Sequence, residues 1–454
     1  MVVSLSAKDD IRFISSVFVV VKSTLFTITQ LVLQQYDTSS QLLFTSPYVP
    51  RLLNYTLSRL LVWDAVFFIK IAQRGYVFEQ EWAWGWLWMG SIRVVGDWFV
   101  LPVLTLLYPA LSEGEYDELG NKVGSIYGYA IAALIIAHVG HYLAVVMLYF
   151  TSRTIEQHIR SKSSDDTKLP GNGSQSVFPL VSALLYVITP GGIFMSAGYA
   201  ESLFAFCSFV GIYFRECEQH ILAGLAFLVC CCLRGNGVLW GIVFLNDLFE
   251  VAKVGNWKKS IAVIVGGSLV GIGFLAGQIY AYLVYCPGRE WCNNTVPLIY
   301  GYVQSHYWNV GFLNYWRTWQ IPNFFFAFPT WFMFYRSYQK YRSVPHLRPY
   351  VIIEMTMLVM SLFVWHVQII TRVGTCMPLV YWYVAERIFA DAPEEAEEEK
   401  EEEENVVENR WSLKGIMNRV RADFRRHEGL WAVRYMVTWI GVQAVLYASF
   451  IPPA

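Results

Sequence analysis

Asp64, followed by the close acidic pair Glu79 and Glu81, falls in the stretch WDAVFFIKIAQRGYVFEQE at residues 63–81. This stretch is a polar interruption in a chain that is otherwise mostly apolar. An ionised carboxylate can take a proton from a hydroxyl, which is general-base work. The neighbouring acids can bind hydroxyls or an ammonium group. Phe67, Phe68, Ile71 and Ala72 recur at helical spacing, so the stretch fits a short amphipathic helix lying on a membrane surface. An acid held at the edge of a bilayer suits chemistry on a lipid-borne substrate. A juxtamembrane helix with Asp64 as its N-cap satisfies the same pattern, because Asp is a favoured cap.

Other polar side chains lie scattered between apolar windows: Lys22, Tyr199, Glu201, Arg234, Asn236, Gln320, Asn323, His366, Gln368 and Arg372. Singly, each has an ordinary explanation. An arginine can snorkel to headgroups, and a carboxylate can sit at the favourable end of a helix dipole. Collectively they supply what glycosyl transfer from a lipid phosphate needs: a base for the acceptor hydroxyl, cations for the departing phosphate and polar groups for the sugar. Lys22 is the first candidate for the phosphate, since a charge inside an apolar segment is expensive without a partner. Arg234 and Arg372 are the next. Glu79, Glu81, Tyr199, Glu201, Asn236, Gln320, Asn323, His366 and Gln368 are candidates for sugar and acceptor contacts. No zinc-ligand spacing, phosphate-binding loop, nucleophile elbow or dinucleotide fingerprint stands in a suitable context. Metal is therefore not required, although Glu79 and Glu81 leave a divalent cation possible.

The elements that must position these groups are helical and membrane-embedded. The chain is 55% hydrophobic and 15% charged, well below the roughly 25% charged of a soluble domain. Several nearly uncharged windows approach the ~20 residues that cross a bilayer core. This predicts an all-α polytopic membrane protein. A formal charge of -1 gives no net basic field for nucleic acid. The expected organisation is a multispanning unit over 1–390 with a lumenal loop at 35–95, an acidic then basic cytosolic loop at 391–428, and a last span at 429–454. Ten to twelve spans are expected. Residues 82–110 are either one tilted span or a re-entrant pair; the topology closes only if they do not fully cross. Arg336, Lys340, Arg342 and Arg348 mark a cytosolic side. Cys286 and Cys292 bracket a polar loop beside the sequon Asn293-Asn294-Thr295, which points to a disulfide and glycosylation at Asn293 in an oxidising lumen.

The opening stretch resembles the W-D-x-x-x-F-x-x-I-A-x-x-G-Y-x-x-E signature of the GPI mannosyltransferase 2 family. Further matches follow in order: TPGGIFMSAGYAESLFAF, LRGNGVLWG, VGFLNYWRTWQIPNF, and HVQIITR with Pro378 and Tyr381-Trp382 after it. They cover the chain from the first span to about Arg387. One departure is WAWGWLW after Glu81, which bears on the shape of the acceptor groove. The resemblance implies a multispanning GT-C glycosyltransferase of the endoplasmic reticulum membrane. It implies transfer of the second, α1,6-linked mannose from dolichyl phosphate mannose to a GPI-anchor precursor, by inversion, with a small accessory membrane subunit. On that reading Asp64 is the base. A lipid transporter or scramblase, or a non-catalytic subunit of a glycan-assembly complex, are the competing readings of the same polar residues.

Overall fold

The structure, a computed structural model, describes residues 5–111, 120, 123–162, 177–390 and 427–452. Residues 391–426 of the expected acidic then basic loop lie outside the described residues. Among those described, the regular elements are all helical. The first group is α1 (Leu5–Leu31), α2 (Ser39–Leu43), α3 (Arg51–Leu60), α4 (Asp64–Arg74), α5 (Trp86–Leu107) and α6 (Ile126–Lys162). The second is α7 (Phe178–Val187), α8 (Glu201–Glu216), α9 (His220–Leu233), α10 (Gly241–Val254), α11 (Trp257–Tyr285) and α12 (Ile299–His306). The last is α13 (Ile321–Tyr341), α14 (Arg348–Phe363), α15 (Ile370–Val373), α16 (Pro378–Ala390) and α17 (Glu428–Ala448).

Six described segments are long and apolar enough to cross a membrane: 7–31, Trp86–Leu107, 126–159, Trp257–Tyr285, 345–363 and Glu428–Ala448. The expected ten to twelve spans include helices shorter than these. Helices α7 to α10 and α16 have 10 to 16 residues. At 1.5 Å per residue they reach only about 15–24 Å, short of the ~30 Å bilayer core. Helix α8 nevertheless runs from Glu201 at one end of the bundle to Glu216 at the other, where Arg215 pairs with Asp247 of α10. Helices α3 and α4 meet at a 112° bend. Together they are apolar enough to enter a membrane as a broken or re-entrant pair, with Asp64 at the break between them.

Residues 82–110 resolve into a short turn and one continuous helix, α5, containing a single widened turn at Gly96–Val100. Gly85, ahead of α5, sits against the carbonyl of Leu233 at the end of α9. Further on, Asp97 accepts a 2.7 Å bond from Tyr129, and Leu101 packs on Gly128. Both contacts belong to the start of α6, whose Tyr127 bonds Asn54 at 2.7 Å and whose neighbour Ser125 bonds Gln73 at 2.8 Å. Although α5 is long enough to cross, its two ends pack against the same end of the bundle.

That end also holds the cysteine loop and is called the cavity end here. The opposite, basic end gathers Arg215, Lys259, Arg336 and Lys340 with Asp247, Glu218, Glu428 and Glu386 as ion-pair partners. Between helices already surrounded by lipid, close packing rather than water exclusion drives association. Thus a Cβ on Gly224 of α9 would stand 2.5 Å from the Cα of Gly266 in α11, and only glycine lets the two backbones touch. Buried indoles meet acceptors across helices, as Trp382 does on Ser152 at 2.7 Å and Trp439 on the Pro190 carbonyl at 3.0 Å.

Candidate active site

Asp64 is the first residue of α4, while Trp63 occupies the cap position with φ 57. Asp64 is therefore not the helix cap that its residue type suggested. A left-handed tryptophan costs on the order of 1–3 kcal/mol and persists only where its surroundings over-determine it. Two buried tyrosines do so: Tyr199 and Tyr447 donate to the carbonyl of Val62 at 3.1 and 3.3 Å. Trp63 itself lies against Phe450, centroids 5.0 Å apart. The clamp fixes the direction in which Asp64 leaves the backbone.

Asp64 lines a cavity of about 470 Å3 together with Glu201, Arg234, Asn236, His366 and Arg372. Glu201, at the start of α8, is buried. Its Oε1 is the meeting point of two cations: Arg234 Nη1 at 2.5 Å, and Arg372 through Nη2 at 2.6 Å and Nε at 2.7 Å. Arg372 also lies over the rings of Phe194 and Tyr199 and brings Nη1 to 3.9 Å from Asp64 Oδ2. Arg234 donates to Asn236 at 3.3 Å. Burial pushes the Asp64 carboxyl above the usual range, and the guanidinium of Arg372 works against that push. Burial acts the same way on Glu201, but the two arginines outweigh it and hold that carboxyl below its ordinary value.

These contacts give the side chains different freedom. The Asp64 side chain is 41% exposed because it opens onto the cavity, whereas Arg372 is 13% and Arg234 16% exposed. Three cavity-lining atoms are buried and have no hydrogen-bond partner: Glu201 Oε2, Asn236 Nδ2 and Trp88 Nε1. A buried polar atom without a partner costs about 1–3 kcal/mol. A ligand rich in hydroxyls would recover that cost. His366 turns Nε2 to the Trp308 carbonyl at 3.0 Å and stacks on Tyr315.

Other sequence-selected residues stand elsewhere. Lys22 is buried against Ser196 Oγ at 2.5 Å and the Met195 carbonyl at 3.4 Å, outside the cavity lining. Glu79 accepts from Trp291 at 2.7 Å and Tyr307 at 3.2 Å, tying the cysteine loop to the 79–83 turn. Glu81 pairs with Arg74 and accepts from the amides of Val77 and Phe78 at 2.9 and 3.2 Å, closing the chain that follows α4. Gln320 and Asn323 bond each other at 2.6 Å, and Asn323 bonds Tyr315. Gln368 is buried behind His366, and Tyr199 lies beneath Asp64 as part of its clamp. Cys286 and Cys292 are disulfide-bonded, and Asn293 is exposed beside them.

The sequence reading missed the cavity wall. Trp84, Trp88, Tyr300, Gln304, Trp308 and Trp365 form much of it. The signal was present in WAWGWLW, since tryptophan faces are suited to packing against sugar C–H surfaces. The folding of 300–308 toward it had no sequence cue.

Comparison with known proteins brings these residues into one frame. The family model described as Mannosyltransferase (PIG-V) matches residues 8–348 and 340–454. A protein named GPI mannosyltransferase 2 from Yarrowia lipolytica is 36% identical over 439 residues, covering 96% of this chain and 98% of the relative. Proteins of the same name from Saccharomyces cerevisiae and Candida albicans are 29% and 26% identical, covering 93% and 92% of this chain and 94% of each relative.

Proposed function

Because the chain belongs to the mannosyltransferase (PIG-V) family, we propose that it transfers the second mannose, α1,6-linked, from dolichyl phosphate mannose to a GPI-anchor precursor. The chain is a membrane-embedded glycosyltransferase, so the readings as a transporter or as a non-catalytic subunit fall away. The observation that carries the proposed chemistry is the Asp64 carboxylate, open to a cavity and 3.9 Å from an arginine that is itself locked to Glu201.

Asp64 accepts the proton of the acceptor 6-hydroxyl as its oxygen attacks the anomeric carbon. The bond from that carbon to the phosphate oxygen breaks on the opposite side, and its electron pair leaves with dolichyl phosphate. Inversion follows from this single displacement. Phosphate is a good leaving group, so the second negative charge it acquires needs cations rather than an acid. Arg372 and Arg234 serve that role, pre-aligned by their shared carboxylate. Asn236, His366 and the unpartnered oxygen of Glu201 hold sugar hydroxyls. No step draws on a metal or cofactor, and Glu79 and Glu81 are engaged in bracing the loop.

Orientation is part of the proposal: the cavity end is lumenal in the endoplasmic reticulum. Its support is the cysteine loop with the exposed Asn293 at that end and the arginines and lysines at the other. A small accessory membrane subunit is expected to assist. The test is transfer of radiolabelled mannose from dolichyl phosphate mannose by purified chain in liposomes, with the GPI precursor as acceptor. A product sensitive to α1,6-specific mannosidase is expected. Absence of transfer both with and without co-purified small membrane proteins, or a product resistant to that enzyme, contradicts the reading.

A further inference from the structure

Far from the cavity, three residues from separate parts of the chain converge at the basic end. His158 lies near the end of α6, Glu216 is the last residue of α8, and His346 sits in the turn before α14. One ligand atom from each lies within 4.8 Å of the other two. Glu216 Oε2 is 3.2 Å from His158 Nδ1 and 2.5 Å from His346 Nε2. The two rings are edge to face with centroids 5.6 Å apart. Since Glu201 and Glu216 begin and end the same helix, about 22 Å of helical rise separates this cluster from the cavity.

We propose that His158, Glu216 and His346 form a binding site for one divalent transition-metal ion, with zinc as the fitting chemistry. Two imidazoles and one carboxylate make up a nitrogen- and oxygen-rich set that suits zinc, and poorly suits calcium or magnesium, which take oxygen ligands. The carboxylate divides its work. Oε1 accepts from Arg215 Nη1 at 2.9 Å and from Tyr350 at 2.9 Å, which orients the group. Oε2 is turned to the two rings.

Ligating His is ordinarily fixed, and ligating carboxylates held, by such outer contacts. Arg215 does not oppose a cation strongly, because Asp247 already neutralises it through bonds of 3.0 and 2.7 Å. The local cluster of Arg215, Asp247 and Glu216 thus keeps one net negative charge to receive the ion.

Zinc binds through the nitrogen of each ring that faces Glu216, leaving the ring hydrogen of His158 on Nε2 and that of His346 on Nδ1, and any further proton passes to water. The side chains are 37% and 27% exposed, so water can supply a fourth ligand. An ion here would join α6, α8 and the turn leading into α14 at one point. This inference does not rest on the proposed substrates or on Asp64.

The test uses the full chain in detergent, with any affinity tag removed and metal stripped by a chelator. Zinc titration by calorimetry should give one site per chain, and cobalt as a substitute should develop visible d–d absorption. His158→Ala and His346→Ala should each weaken zinc binding at least tenfold. His346→Asn, which keeps a donor for Glu216 but has no imidazole, should match the apo wild type in thermal melting while losing the zinc-induced rise. Magnesium and calcium should produce no rise at the same concentrations. Absence of a saturable zinc site in the wild type, or unchanged zinc affinity in the His variants, overturns the proposal.

Discussion

Helix α8 carries a buried glutamate at each end, and the two invite comparison. Glu201 and Glu216 are both almost fully buried and both pair with arginine. At the basic end every oxygen of Glu216 is used: Oε1 by Arg215 and Tyr350, Oε2 by the two histidines. At the cavity end both arginines crowd onto Oε1 of Glu201 and leave Oε2 without a partner. The chemical components are alike, so a buried ion pair does not by itself identify a reaction site. Unmet hydrogen-bonding capacity beside open volume does. One end is a satisfied network that joins helices and whose two imidazoles fit a metal ion, and the other keeps charge and unmet hydrogen-bonding capacity in readiness for a hydroxyl-rich ligand.

Breaking each end separately sharpens that contrast. Arg372→Met removes a cation from the cavity and half the support of Glu201. Mannose transfer should fall about 10²–10³-fold, the usual cost of losing one preorganised donor, measured as initial rate with saturating donor. Arg215→Met at the other end strands Glu216 and Asp247. It should destabilise the fold by about 3–5 kcal/mol and lower the melting temperature, while transfer per folded molecule stays within about twofold. If Arg215→Met instead abolished transfer without lowering the melting temperature, the two ends would not be divided as described.

A smaller effect is expected at the cysteine loop. Replacing both Cys286 and Cys292 by Ser opens a short loop, worth about 2 kcal/mol in the chain-entropy account. Thermal melting should register it, with transfer retained. The smallest expected effect is on pH dependence. Transfer needs ionised Asp64, whose carboxyl burial holds above the usual range while Arg372 pulls it down. Rate should therefore fall as pH drops through that value. In Arg372→Met the acid limb of the profile should move to higher pH, because the opposing cation is gone. A limb that stays in place, or moves down, separates Asp64 from the titrating group.

Much of the cavity end was legible in the sequence, because charged residues in apolar surroundings are few and costly. Asp64, Glu201, Arg234, Asn236, His366 and Arg372 were all selected, and they meet in one cavity. Residue type could not say which way a side chain turns. Lys22 found Ser196, and Glu79 and Glu81 found an indole, a phenol, an arginine and backbone amides. Those roles depend on contacts over long sequence separations, such as the one joining Glu79 to Trp291. The all-helical class followed from apolar windows. The meeting of His158, Glu216 and His346 left no local spacing to read.

The most direct measurement is single-turnover transfer by purified Asp64→Asn protein with donor and acceptor both bound. Asparagine keeps the size of the side chain but cannot accept the hydroxyl proton. Transfer should drop by about 10²–10⁴-fold, with donor binding and the thermal melt unchanged from wild type. Near-normal transfer by that protein would contradict the assignment of Asp64 as the base.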